Sequence, residues 1–184
     1  LMGLETAEWL KFMGMGPNRN WFYLPPITLG LMLALLPLAW PPRRWQNWGM
    51  RALAVLVSLL AFPAVEDITG PVWREYVVRV AGIGLVTAVA LLTGWFHRQW
   101  TTVHRTAVHR TAVHRTAVWI ILALLGILGG LMPLWTYLGA LPAIENLMGE
   151  PVGVGWGLWL NSLGHLWVTA VTLGLLLQKR RPPR

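Results

Sequence analysis

The last apolar run of the chain, from Val152 to Leu177, reads VGVGWGLWLNSLGHLWVTAVTLGLLL. It holds 26 residues with no charged side chain and is closed by Gln178-Lys179-Arg180-Arg181-Pro182-Pro183-Arg184. As a helix it reaches about 39 Å, beyond the roughly 30 Å of hydrocarbon in a bilayer. Such a segment needs lipid or a large protein core around it. With 184 residues, 55% hydrophobic and only 12% charged, the chain has too little polar surface for the second option; a soluble domain carries roughly 25% charged residues.

Four further apolar runs fall between turn signals. Trp21–Trp40 opens with Pro25 and Pro26, placed where a missing amide donor costs a helix little. Pro41-Pro42-Arg43-Arg44 ends it, and a shorter run follows from Trp48 to Val65, with Arg51 near enough to its end to snorkel. An acidic turn at Glu66-Asp67 leads to Tyr76–Phe96, which carries Arg79 near one end and the small residues Gly82, Gly84, Ala88 and Gly94. The next run, Ala117–Leu138, holds Gly126, Gly129 and Gly130 with a kink expected at Pro133, and an acidic loop with Glu145 and Glu150 leads on to the final run. In Leu1–Gly16, apolar residues at 2, 9, 12, 13 and 15 separated by Glu5, Glu8 and Lys11 suggest a short helix lying on a membrane surface. The predicted fold is all-α: one polytopic membrane domain with spans at about 21–40, 48–65, 76–96, 117–138 and 152–177, preceded by that interfacial helix.

Charge gives an orientation. With the C-terminus inside, eleven of the 15 Lys and Arg residues fall on the inner side, and Lys11, Arg19, Arg74 and Arg79 fall outside. All seven acids (Glu5, Glu8, Glu66, Asp67, Glu75, Glu145, Glu150) also fall outside. The positive-inside rule counts Lys and Arg in short loops, so this bias predicts a plasma (bacterial inner) membrane protein with its N-terminus outside and its C-terminus cytoplasmic. The net charge of +8 sits in loops between apolar runs and not along an amphipathic face, which favours anionic lipids or acidic partner subunits over nucleic acid. Thirteen Trp residues suit the head-group zone, and Trp21, Trp40, Trp48, Trp95 and Trp135 lie near span ends. With no Cys, disulfides, thiolate metal sites, Cys-held clusters and thioether-linked haem are excluded.

Residues 101–118 read TTVHR-TAVHR-TAVHR-TAV. Five residues advance a helix by about 500°, so His104, His109 and His114 point three ways and form no ligand row. On a strand an odd period also alternates faces. The expected structure for 97–116 is a basic connector loop, with Arg98, Arg105, Arg110 and Arg115, together with Lys179, Arg180 and Arg181, touching lipid or a partner.

In the last span Asn161, His165, Thr169 and Thr172 share one helical face near mid-membrane. An ionisable residue there is a functional candidate by default. His165, with Asn161, can ligate haem, hydrogen-bond a quinone, relay protons or pair with a neighbouring helix. A second haem ligand on this chain would have to be His97, which sits at the inner boundary while His165 sits near the middle. Gly153, Gly155, Gly157 and Gly164 favour helix pairing through close backbone approach. No phosphate loop, nucleophile elbow, HExxH motif or dinucleotide fingerprint occurs, and span interiors hold no acids, so neither a catalytic set nor a metal site is expected.

The general build, small, Trp-rich and multi-span, resembles the supernumerary membrane subunits of bacterial electron-transfer complexes. That resemblance implies a non-catalytic accessory subunit of a respiratory or photosynthetic, quinol-oxidising assembly, with other membrane subunits and anionic lipids as partners. It would hold no cofactor of its own, any quinone or haem residing in neighbouring subunits. The alternatives are a stand-alone transporter or binder of small molecules, and a haem- or quinone-binding subunit acting through His165.

Overall fold

A computed structural model describes residues 19–39, 44–62, 73–103 and 108–178. Among the described residues the chain is predominantly helical, with no strand. After a 3₁₀ turn, Arg19–Tyr23, five α-helices follow: α1 (Leu24–Ala39), α2 (Arg44–Ser58, extended by a 3₁₀ turn over Leu59–Ala61), α3 (Trp73–Val103), α4 (Val108–Met148) and α5 (Trp156–Gln178). Among the described residues, four stretches are long and apolar enough to cross a bilayer: Trp21–Ala39, Tyr76–Trp95, Thr116–Met148 and Trp156–Gln178. These are the marks of a multi-pass membrane protein. Their outward residues are large and apolar, such as Leu91, Trp135, Leu160 and Trp167. Such faces need lipid or other helices around them.

Helix α1 lies at the centre because two of its faces are lined with small or slim residues. On one, Ala34 packs with Ala54 of α2 and with Val86 and Ala90 of α3. On the other, Met32 and Ala39 pack with Val118 and Leu122 of α4. Gly30 is where three helices crowd: a Cβ there would lie 2.9 Å from the Ala54 carbonyl oxygen and 3.0 Å from Val86 Cγ1. Helix α5 completes the bundle by lying along α4, the most extensive contact in the molecule.

The contacts fix the relative directions. Ile27 meets Gly82 and Gly30 meets Val86, so α1 and α3 run parallel. Gly30 meets α2 at Ala54 and Ser58 and Val86 packs with Ala54, whereas Gly94 of α3 meets α2 at Arg51, so α2 runs opposite to both. Met32 and Thr28 meet Gly126 and Gly129 of α4 in reversed order, and α5 reverses again, with Thr169 beside Gly126 and Ser162 beside Gly130.

Several sequence expectations need amending. The repeat is not simply a loop: α3 runs through Val103 and α4 begins at Val108, leaving 104–107 outside the described residues. The repeat contains neither Gly nor Pro, so nothing in it stops a helix. Helix α4 also continues past Leu138 through Pro142 to Met148, taking Glu145 into its last turn. It ends where Gly149 adopts φ 71° and donates its amide to the Glu145 carbonyl at 2.9 Å, a left-handed stop suited to glycine. Arg51 does not snorkel outward. It is 8% exposed, its guanidinium seated over Gly94 and 5.7 Å from the Trp48 ring centre. Arg79 is likewise buried, stacked 3.5 Å over Tyr23 and 5.3 Å from Tyr76. Aromatic faces and bare glycine backbone give both guanidinium groups somewhere to lie. The expected interfacial helix over residues 1–16 lies outside the described residues.

Candidate functional site

Among the described residues, α5 gathers four buried hydrogen-bonding side chains, Ser162, His165, Thr169 and Thr172, inside one span, and the geometry of that face starts from α4. Gly126, Gly129 and Gly130 remove three side chains from one stretch of α4, so its main-chain carbonyls stand open to a neighbour. A Cβ on Gly126 would lie 2.9 Å from the His165 carbonyl oxygen, and one on Gly130 3.2 Å from that of Ser162. At Gly126 a side chain would force the helices to shift, and at Gly130 its neighbours would have to give by a few tenths of an ångström.

Polar residues of α5 use those carbonyls. Asn161 Nδ2 donates to the Gly129 carbonyl at 3.0 Å, Ser162 Oγ to that of Gly130 at 2.8 Å and Thr169 Oγ1 to that of Ala123 at 3.4 Å. Thr169 Oγ1 also lies 3.0 Å from the His165 carbonyl, and Thr172 Oγ1 donates to Val168 of its own helix at 2.7 Å. Ser162, His165, Thr169 and Thr172 are all buried. The face read from the sequence is therefore the inward face of α5, with Ser162 added to it.

His165 is engaged at both ring nitrogens. Nδ1 lies 3.0 Å from the main-chain oxygen of Asn161, which can only accept, so Nδ1 carries a proton. In the neutral ring Nε2 is then the acceptor, and Thr28 Oγ1 of α1 donates to it at 3.2 Å. The same hydroxyl lies 3.0 Å from the carbonyls of Leu24 and Pro25, so one proton has three acceptors in reach. His165 thereby joins three helices: its own α5, the Gly129 notch of α4 in which its ring sits, and α1 through Thr28.

Sequence reasoning missed Thr28, because nothing local to a Thr after two prolines signals a partner 137 positions away. Within the chain, the glycines that admit close approach are not those of α5. Gly153, Gly155, Gly157 and Gly164 meet nothing within 4 Å, and the close approach falls to Gly126, Gly129 and Gly130 instead. On α3, Gly82 and Gly94 receive Ile27 and Arg51, while Gly84 meets nothing within 4 Å. Beyond the seam, Tyr137 Oη donates to the Gly153 carbonyl at 2.9 Å, and Val152 N donates to Glu145 Oε1 at 3.3 Å, tying down the α4–α5 connection.

Among the described residues no three His, Asp or Glu side chains converge as a metal-binding group. Of the basic positions proposed to touch lipid or a partner, Arg98 lies on α3 and Arg110 and Arg115 on α4, their side chains outside the description; Arg105, Lys179, Arg180 and Arg181 lie outside the described residues altogether. Comparison of the chain with protein-family models, curated proteins and solved structures finds no match.

Proposed function

We propose that this chain is a non-catalytic accessory subunit of a larger membrane assembly, crossing the bilayer five times with its C-terminus cytoplasmic and packing its outer faces against partner helices and lipid. The observation that carries the reading is the division of labour on α5. Its polar residues are satisfied inside the chain by α4 and α1, while Gly157 and Gly164, seven residues apart on the same helix, meet nothing within 4 Å and lie among exposed Leu160, Trp167 and Val171. Bare glycines between large apolar side chains let a second helix approach closely, the main source of association energy where lipid already solvates apolar surface. A respiratory or photosynthetic electron-transfer complex is the proposed setting, resting on build alone.

Support for five crossings comes from direction. Parallel α1 and α3 need a return path between them, and α2 runs antiparallel to both. From Arg44 to Ala61 it holds 18 residues, about 27 Å as a helix, which reaches across most of the hydrocarbon.

Mild-detergent purification from native membranes through a tag on this chain tests the proposal. The expected result is stoichiometric co-purification of other membrane proteins, reduced by Gly164→Leu, which fills the outer face without touching the internal seam. A chain that elutes alone and folded from native membranes overturns it.

A further inference from the structure

Between α2 and α3, on the side away from the His165 seam, lies a pocket of about 350 Å³ lined by Trp48, Arg51, Ala52 and Val55 of α2 and by Thr87, Ala90, Leu91, Gly94 and Trp95 of α3. Among the described residues its lining contains one cationic and no acidic side chain. The two helices are antiparallel, so Trp48, Arg51, Gly94 and Trp95 form one end and Val55 with Thr87 the other. From Trp48 to Val55 is seven residues, about 10 Å along the helix. The pocket is therefore charged and flanked by tryptophan at one end and almost wholly apolar over the rest.

That gradient has the polarity of a membrane lipid. Trp48 and Trp95, both about half exposed, stand at the level tryptophan prefers, next to the head groups. Further basic residues flank the charged end in sequence, Arg43 and Arg44 before Trp48 and Arg98 after Trp95. Gly94 is essential to the arrangement: a side chain there would fall on the Arg51 guanidinium and drive it from the pocket end. A free phosphate would match the charge yet leave Ala52, Val55, Ala90 and Leu91 uncovered. A neutral acyl chain would cover those residues and bring no complementary charge to the cationic end.

We propose that this pocket binds one phospholipid with an anionic head group, its phosphate at Arg51 and the upper part of one acyl chain along Ala52, Val55, Ala90 and Leu91 toward Thr87. The inference rests on the membrane reading for its solvent but needs no partner subunit.

Native mass spectrometry of the purified full chain, released from detergent micelles doped with phosphatidylglycerol, with phosphatidylcholine or with inorganic phosphate alone, tests the site. The expected result is one retained phosphatidylglycerol, favoured about fivefold or more over phosphatidylcholine, the preference one basic residue gives at a membrane surface. Phosphate alone should not be retained. Arg51→Gln should abolish the preference and Arg51→Lys keep most of it. Ala52→Trp, on the exposed rim, should block the tail groove with Arg51 in place, and carries the test if Arg51→Gln does not fold. Equal retention of both lipids, retention of phosphate alone, or phosphatidylglycerol binding unaffected by Ala52→Trp overturns the proposal. Retention of no lipid by the wild-type chain likewise overturns it. Because the isolated chain is measured, failure here is separate from failure to co-purify with partners.

Discussion

Replacing Gly126 by Ala isolates the contact on which the α4–α5 seam depends. The added Cβ would stand 2.9 Å from the His165 main-chain oxygen, about 0.5 Å inside the 3.4 Å at which ordinary contact begins, and 3.1 Å from Met32 Cε. It would also fall on Thr169 Oγ1. Met32 can turn aside; a carbonyl inside a helix cannot, so α4 and α5 must part. Overpacking of this kind costs about 1–3 kcal/mol. Parting also lengthens the bonds from Asn161 and Ser162 to Gly129 and Gly130, and hydrogen bonds between membrane helices average about 0.6 kcal/mol each. Against this stands a gain of at most about 1 kcal/mol from replacing glycine within a helix. The expected net loss is about 1–3 kcal/mol, roughly a 5- to 150-fold change in the unfolding equilibrium at about 1.4 kcal/mol per decade. Gly164→Ala, which meets nothing within 4 Å, should be neutral or slightly stabilising. Reversible unfolding of the two variants in mixed micelles, followed by tryptophan fluorescence, makes the comparison. Equal stability for both would refute the claim that close backbone contact at Gly126 holds α5 in place.

Thr28→Val keeps the side-chain shape and removes the only hydroxyl shown bonded to His165 Nε2, so it should destabilise the bundle by about 0.6 kcal/mol and by no more than about 1.7, read by the same unfolding assay. Gly149→Ala forces a side chain into the left-handed region at the end of α4 and should cost about 1–2 kcal/mol locally, seen as faster amide exchange around Glu145 and Val152.

The apolar helices were legible because each is long, and lipid as solvent leaves a strong compositional trace. The inward face of α5 was legible for a similar reason: Asn161, His165, Thr169 and Thr172 repeat at helical spacing, and polar groups in such a run must find partners. Their partners were not legible. That His165 meets Thr28, and that Gly126 and Gly129 receive it while Gly157 and Gly164 stay bare, depends on the rotation of α4 and α1 about their axes. Glycine composition alone does not report that rotation. Arg51 looked like a residue reaching for water, since span-end position is visible in a sequence and a stacked aromatic or an opposing glycine is not. The repeat misled in another way. Its period excluded a ligand row but said nothing against helix, and α3 and α4 run into it from both sides.

The proposed five-crossing path depends most on α2, which falls outside the four stretches long and apolar enough to span a bilayer. With no native Cys, single cysteines at Gln46, Thr69, Glu150 and Gln178 can be labelled without background in intact cells by a membrane-impermeant maleimide. The account predicts rapid labelling at Thr69 and Glu150, and labelling at Gln46 and Gln178 only after the membrane is opened. Thr69 and Gln46 reacting from the same side would mean that α2 does not cross, and would contradict it.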